Sequence, residues 1–284
     1  MTNSTSMPVV PDLAELSVAL ESAMQRTIAI ARSGGDPKAP VPSLNWNASE
    51  TGTHLMWALF AFAGAISGEP LNAGFPEVSW DNNMRDYLAV INDQALSASG
   101  ERSMEDVAEG LEQAYEALKK VIASSPNLEA AVPTSWYGPD QTRTVGTLLA
   151  LSVTETLVHG WDMARAFKID GEFTVEEARA AFPTVMSQML PILVNPNLPD
   201  GFKASYEIRI HEATPFVLRI ADGKAVAEPA GEPVDCIITM NPRYGLLTGF
   251  RRVPLWKGII GGHTMAAGDK PWLAFKFQKI FMSA

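Results

Sequence analysis

Thr154-Glu155-Thr156-Leu157-Val158-His159-Gly160-Trp161-Asp162 is the stretch whose reading decides the fold and the chemistry of this 284-residue chain. It lies inside a long apolar run beginning at Val145, and Thr144 before it is a helix-capping residue. On a helix of 3.6 residues per turn, Glu155, His159 and Asp162 stand at i, i+4 and i+7, within ~60° of one another. Glu155 is flanked by Val153 and Leu157. A carboxylate in such a setting needs a cation or hydrogen-bond partner, because an isolated buried charge is costly. A second histidine, His54, occupies an earlier helical segment. One carboxylate and two imidazoles converging from two helices would form a divalent metal site with room for a substrate. The bland alternative is a hydrogen-bonded core histidine beside a Glu–His surface pair.

Working outward, the first two thirds of the chain read as helices. Leu13, Leu16, Leu20, Met24, Ile28 and Ala31 recur at helical spacing between about Pro11 and Ser33. Asn47 with Glu50 forms a capping-box signal for a helix to about Ser67, which carries His54. A long connection spans Gly68 to Trp80, and a third helix is expected from near Asp81 to Ser99. Ser103 with Asp106 opens a fourth. Ser124 to Gln141 reads as a loop, Asp170-Gly171 stops the Glu155 helix, and Thr174 with Glu177 opens a helix to about Leu193.

After Asn195-Pro-Asn-Leu-Pro-Asp-Gly201 the grammar changes to period two. Tyr206, Ile208 and Ile210 form one strand pattern, Phe216, Leu218 and Ile220 another, with Asp222-Gly223 as a hairpin turn. Asp235 to Met240 is a third strand, Pro242 to Phe250 a short helix, and Pro271 to Phe281 a closing amphipathic helix. The expected architecture is therefore α+β with two domains: a disordered tail at 1–10, a helical bundle at 11–195 and a small α+β domain at 202–284.

Bulk properties narrow the function classes. A net charge of −10 argues against nucleic acid and against a polybasic membrane anchor. No apolar run is long enough to span a bilayer, and the first residues lack the basic and apolar segments of a signal peptide. Cys236 is the single cysteine, so no intrachain disulfide or cysteine-rich zinc site exists, and a cytoplasmic setting is expected. A soluble monomer or weak dimer fits the acidic balance. His211 and His263 read as structural or surface histidines, and Cys236 as a small buried residue.

Two resemblances sharpen this. Trp46-Asn-Ala-Ser-Glu-Thr-Gly-Thr-His54-Leu55 and Glu155-Thr-Leu-Val-His159-Gly-Trp161-Asp162-Met-Ala-Arg-Ala166 resemble the two signatures of the mycothiol-dependent maleylpyruvate isomerase family. That family belongs to the DinB-like metal-dependent bundles. The resemblance implies an up-down four-helix bundle with one extra helix. It also implies His54, Glu155 and His159 as ligands of a divalent metal, usually zinc, with mycothiol or a similar thiol as cosubstrate. Asp162 matches the family's Asp after Trp; it either bonds a ligand imidazole, orients a thiol, or pairs with Arg165 on the helix surface. Arg85 is a candidate for binding a substrate carboxylate, against the simpler reading of a solvated arginine. The segments Ile220-Ala-Asp222-Gly223, Val234-Asp235-Cys236, Asn241-Pro242 and Met265-Ala-Ala-Gly268-Asp269 resemble sterol-carrier-like domains.

The function implied is a metal-dependent enzyme that activates a low-molecular-weight thiol against a small electrophile, as an S-transferase or a cis–trans isomerase. The alternatives are a metal-stabilised protein that binds a hydrophobic ligand through its C-terminal domain, and a metal-dependent hydrolase.

Overall fold

The structure is a computed structural model and describes residues 7–69 and 84–282. The chain divides into two compact units, residues 12–173 and residues 1–11 with 174–284.

The first unit is helical. Its long helices are α1 (Leu13–Ala31), α2 (Ala48–Ser67), α3 (Met84–Ser99), α4 (Met104–Ala123) and α5 (Val145–Phe167). The caps read from the sequence at α2, α4 and α5 operate, and Asp12 adds one at α1. Asp12 accepts from the Glu15 amide at α1, Asn47 and Glu50 close a capping box at α2, Ser103 and Asp106 do so at α4, and Thr144 accepts from the Thr147 amide at α5. Each box satisfies amides that a helix start otherwise leaves unpaired. The predicted start of α3 at Asp81 and the connection over residues 70–80 lie outside the described residues.

Four of these helices close a ring: α1 packs on α5, α5 on α2, α2 on α4, and α4 on α1. Helix α3 packs against α2 from outside that ring, as the extra helix of the expected bundle. Helix α5 has every residue from Val145 to Ala164 buried except Glu155. Such a helix has no solvated face, so its polar residues need partners inside the protein. Small residues let the helices approach. A Cβ on Gly160 would lie 2.3 Å from the Thr27 Oγ1 of α1, and one on Gly52 would lie 2.4 Å from Val107 of α4.

Between α4 and α5 the expected loop is structured. Strands β1 (Ala131–Pro133) and β2 (Thr142–Thr144) form an antiparallel hairpin around a 3₁₀ turn at Ser135–Tyr137. Three-residue strands carry too little periodicity to be seen in a sequence, and Pro133 in β1 reads as a breaker.

The second unit joins α6 (Val175–Met189) to a five-stranded sheet of order β5-β4-β3-β6-β7. The strands are β3 (Lys203–Ile210), β4 (Phe216–Ala221), β5 (Lys224–Pro229), β6 (Cys236–Met240) and β7 (Thr264–Ala267); β3 and β6 run parallel and the other pairs antiparallel. Asp222 and Gly223 both take positive φ, at 52° and 72°, as a two-residue hairpin turn requires. Helix α7 (Pro242–Gly249) follows β6, α8 (Leu255–Ile260) precedes β7, and α9 (Ala274–Ile280) closes the chain after a 3₁₀ turn at Pro271–Leu273.

Two boundaries differ from the sequence expectation. Helix α6 groups with the sheet unit, so the division falls after Phe173 and not near residue 195. The reason is packing: α6 lies on α7, and Phe182 of α6 meets Gly245. A helix reads alike in either unit, because its periodicity names a buried face and not the partner that covers it. Met7 and Val9 are buried, so the described part of the expected disordered tail packs with the second unit.

Candidate metal centre

Helices α2 and α5 meet face to face, and their contact brings His54 to the Glu155 stripe. One ligand atom from each of His54, Glu155 and His159 falls within 4.8 Å of the others. The Nε2 of His159 lies 3.1 Å from Glu155 Oε2. The imidazoles of His54 and His159 meet edge to face with centroids 5.1 Å apart. Trp46 also lies against His54, with centroids 4.8 Å apart. His159 is buried, whereas His54 and Glu155 are half-buried.

The donor set fits a divalent metal of the zinc type. Two imidazole nitrogens and one carboxylate oxygen suit such an ion and leave at least one position for a small molecule. Around a tetrahedral ion with bonds of about 2.1 Å, neighbouring ligand atoms are about 3.4 Å apart. The His159–Glu155 separation is already of that size.

Asp162 is fully buried and its Oδ2 lies 3.2 Å from His159 Nδ1. Asp162 thus bonds an imidazole, as one of the readings of its position expects. Arg165 instead lies over the Trp161 ring at 4.6 Å. With Nδ1 held by Asp162, Nε2 is the nitrogen turned to Glu155. This carboxylate–imidazole arrangement orients a histidine ligand and raises its basicity. Burial opposes the charged imidazole, but the hydrogen bonds and charges of Asp162 and Glu155 together hold the metal-free His159 pKa above its ordinary value.

Arg85 is exposed in the first turn of α3, and among the described residues no hydrogen bond or ion pair joins it to the cluster. The hairpin before α5 supplies two residues that the sequence reading passed over. Tyr137 has its hydroxyl pushed above the usual range by burial and by the charge of Glu155. The Arg143 guanidinium lies 5.5 Å from the Tyr137 ring centroid. It donates to the Thr142 carbonyl and to Gln141 Oε1, and its buried Nε has no hydrogen-bond partner among the described residues. Burial draws the Arg143 pKa down, and the influence of Tyr137 opposes it. The one available signal was Trp136-Tyr137 followed by Arg143 just ahead of the Thr144 cap. Its meaning depends on a hairpin too short to read.

His211 and His263 are exposed, and His263 stacks on Tyr244 with centroids 4.1 Å apart. Cys236 is buried, as expected.

A ring of four helices with a His–Glu–His donor set at the contact of two of them, followed by a small α+β unit, defines this chain as a metal-capable helical-bundle protein. It belongs to the family described as mycothiol maleylpyruvate isomerase N-terminal domain, whose model matches residues 19–164. Over most of the chain the fold is similar to the crystal structure of the mycothiol-dependent maleylpyruvate isomerase. That likeness has a TM-score of 0.52 and 12% identity, and covers 90% of this chain and 93% of that one. A histidine-to-alanine mutant of the isomerase matches with TM-score 0.53, 10% identity and the same coverage. At such identity the likeness is one of fold. Among curated proteins no match is found.

Proposed function

We propose that this protein is a metal-dependent enzyme that activates a low-molecular-weight thiol, mycothiol in the first instance, for addition to a small electrophile. The observation that carries this reading is the convergence of His54, Glu155 and His159 from two helices in a chain of this family. In the reading, these three residues hold a divalent metal, most simply zinc. When bound, the metal supplies the positive charge that lowers a thiol pKa and maintains thiolate at neutral pH.

The chain's own residues then have separate tasks. Asp162 fixes the His159 tautomer and ring orientation. Trp46 and the His159 ring confine His54. Tyr137 lies within electrostatic reach of Glu155 and offers a phenol O–H that stays protonated at neutral pH. Such a donor suits the oxygen on which charge collects when a thiolate adds to an activated double bond. Arg143, a half-buried cation without a carboxylate partner among the described residues, is better placed than Arg85 to meet a substrate carboxylate. Addition, rotation about the resulting single bond and elimination give cis–trans isomerisation. Retention of the adduct gives transfer. Neither outcome needs a protein thiol, in keeping with the burial of Cys236. The relatives of known structure bear the name of maleylpyruvate isomerase, and maleylpyruvate is accordingly the first electrophile to test.

The test is metal content of untagged protein by plasma mass spectrometry, beside a His54→Ala/His159→Ala double variant, followed by isomerisation of maleylpyruvate with and without mycothiol. About one metal per chain, lost in the double variant, together with thiol-dependent turnover supports the proposal. Metal content unaffected by the double variant sinks it. A metal that stabilises the fold without any thiol-dependent activity returns the alternative of a metal-stabilised binding protein.

A further inference from the structure

The acidic balance of the chain is an average that conceals a local reversal. Residues 243–284 carry seven Lys and Arg (Arg243, Arg251, Arg252, Lys257, Lys270, Lys276 and Lys279) against a single acid, Asp269, in a chain whose net charge is −10. The same segment holds an unusual share of the large apolar side chains left in solvent. Trp256 is 57% exposed, Ile260 79%, Trp272 57% and Phe275 65%.

These groups lie on neighbouring elements of the second unit. Strand β7, at the edge of the sheet, touches both α8, which precedes it, and the Pro271–Leu273 turn, which follows it and runs directly into α9. Trp256 and Ile260 are one helical turn apart on α8 and share a face, while Trp272 lies in the 3₁₀ turn and Phe275, three residues on, in the first turn of α9. Lys257, Lys270, Lys276 and Lys279 are exposed among them. Lys270 pairs with Asp235 at 2.7 Å, and Lys257 Nζ lies 5.7 Å from the Trp256 ring centroid.

We infer that this face docks the protein onto an anionic phospholipid surface. Indole and other large apolar side chains prefer the boundary between headgroups and acyl chains, and lysines at the same level meet the anionic headgroups. The charge decides between occupants. A second copy using the same face across a two-fold axis would set these lysines against their own equivalents, and like charge across an interface opposes association. An anionic bilayer complements them. The attachment is peripheral, because no described helix is long and apolar enough to cross a membrane. It goes beyond the thiol chemistry and does not depend on the metal cluster, which belongs to the other unit.

The experiment is co-sedimentation of the full-length protein with vesicles of phosphatidylcholine alone and of phosphatidylcholine with phosphatidylglycerol, at a series of salt concentrations. Binding is expected to the anionic vesicles only, with a blue shift of tryptophan emission, and to weaken as salt screens the lysines. A Trp256→Ser/Ile260→Ser variant should lower the partition coefficient by about tenfold or more, and Lys257→Glu/Lys276→Glu should remove the preference for anionic lipid. Since all four side chains are exposed, both variants should keep the wild-type melting temperature. Absence of binding to anionic vesicles at low salt, or binding unchanged by both variants, overturns the inference. So does a concentration-dependent dimer in light scattering that Trp256→Ser/Ile260→Ser abolishes, which would assign the face to a second copy.

Discussion

Replacing Asp162 by Asn tests whether the buried carboxylate orients the ligand imidazole. Asp162 has no exposure, and its Oδ2 accepts from His159 Nδ1 at 3.2 Å. Asn preserves shape and volume but removes the charge, and its amide can present a donor where the imidazole also presents one. A hydrogen bond to a charged group contributes about 1.5–3 kcal/mol. Partners of this kind shift metal affinity by about 10–100-fold, which corresponds to about 1.4–2.7 kcal/mol. The two magnitudes agree, so the Asn variant should bind zinc about 10–100-fold more weakly. Competition against a chromophoric chelator measures it. In the metal-free protein the same change removes one of the two groups that favour the protonated imidazole, so the His159 pKa should fall, as followed by its ring proton resonances. Wild-type zinc affinity together with an unmoved His159 titration would refute the orienting role. Weak binding with an unmoved titration would point instead to collapse of the site.

Other outcomes follow from the same geometry. Because the metal-free His159 pKa stands above its unfolded value, its contribution to stability is complete below about pH 6.5 and is lost as pH rises through the folded pKa. Zinc binding needs the neutral imidazole and should strengthen over the same range, so melting temperatures of metal-free and zinc-loaded protein should diverge with rising pH. Chelation at pH 7.5 should lower the melting temperature; at free zinc of 100 times Kd the ion stabilises by about 2.7 kcal/mol. Gly160→Ala forces a Cβ against Thr27 Oγ1 at 2.3 Å, and urea titration should show a loss of about 1–3 kcal/mol with about one zinc still bound. Lys168 ends α5 in the left-handed region, with φ at 57°, so Lys168→Gly should stabilise the protein by about 0.5–1 kcal/mol, visible as a higher urea midpoint.

The limits of sequence reading can be seen in particular residues. Asn47, Ser103, Thr144 and Thr174 were legible because a cap bonds an amide three residues on, which is wholly local. Helix α8 and the β1–β2 hairpin were not, because pieces of three to six residues carry no periodicity. The closing helix read from Pro271 begins instead at Ala274 after a 3₁₀ turn, an end effect of the kind that separates helix types by one turn. Arg85 suggested itself as a substrate ligand by charge alone, whereas Tyr137 and Arg143 gain their interest from a hairpin that only folding forms.

The sequence by itself determined whatever depends on separations of a few residues. It placed Glu155, His159 and Asp162 on one stripe of an apolar helix, since a helix repeats every 3.6 residues whatever surrounds it. Tertiary structure decided the rest: that α2 is the helix facing that stripe, that α6 covers α7 and leaves the bundle, and that Trp256 and Trp272 stay exposed within the basic last forty or so residues. Those outcomes depend on which apolar faces bury one another. Burial is non-directional and nearly blind to distance along the chain, so spacing alone leaves the partners unspecified.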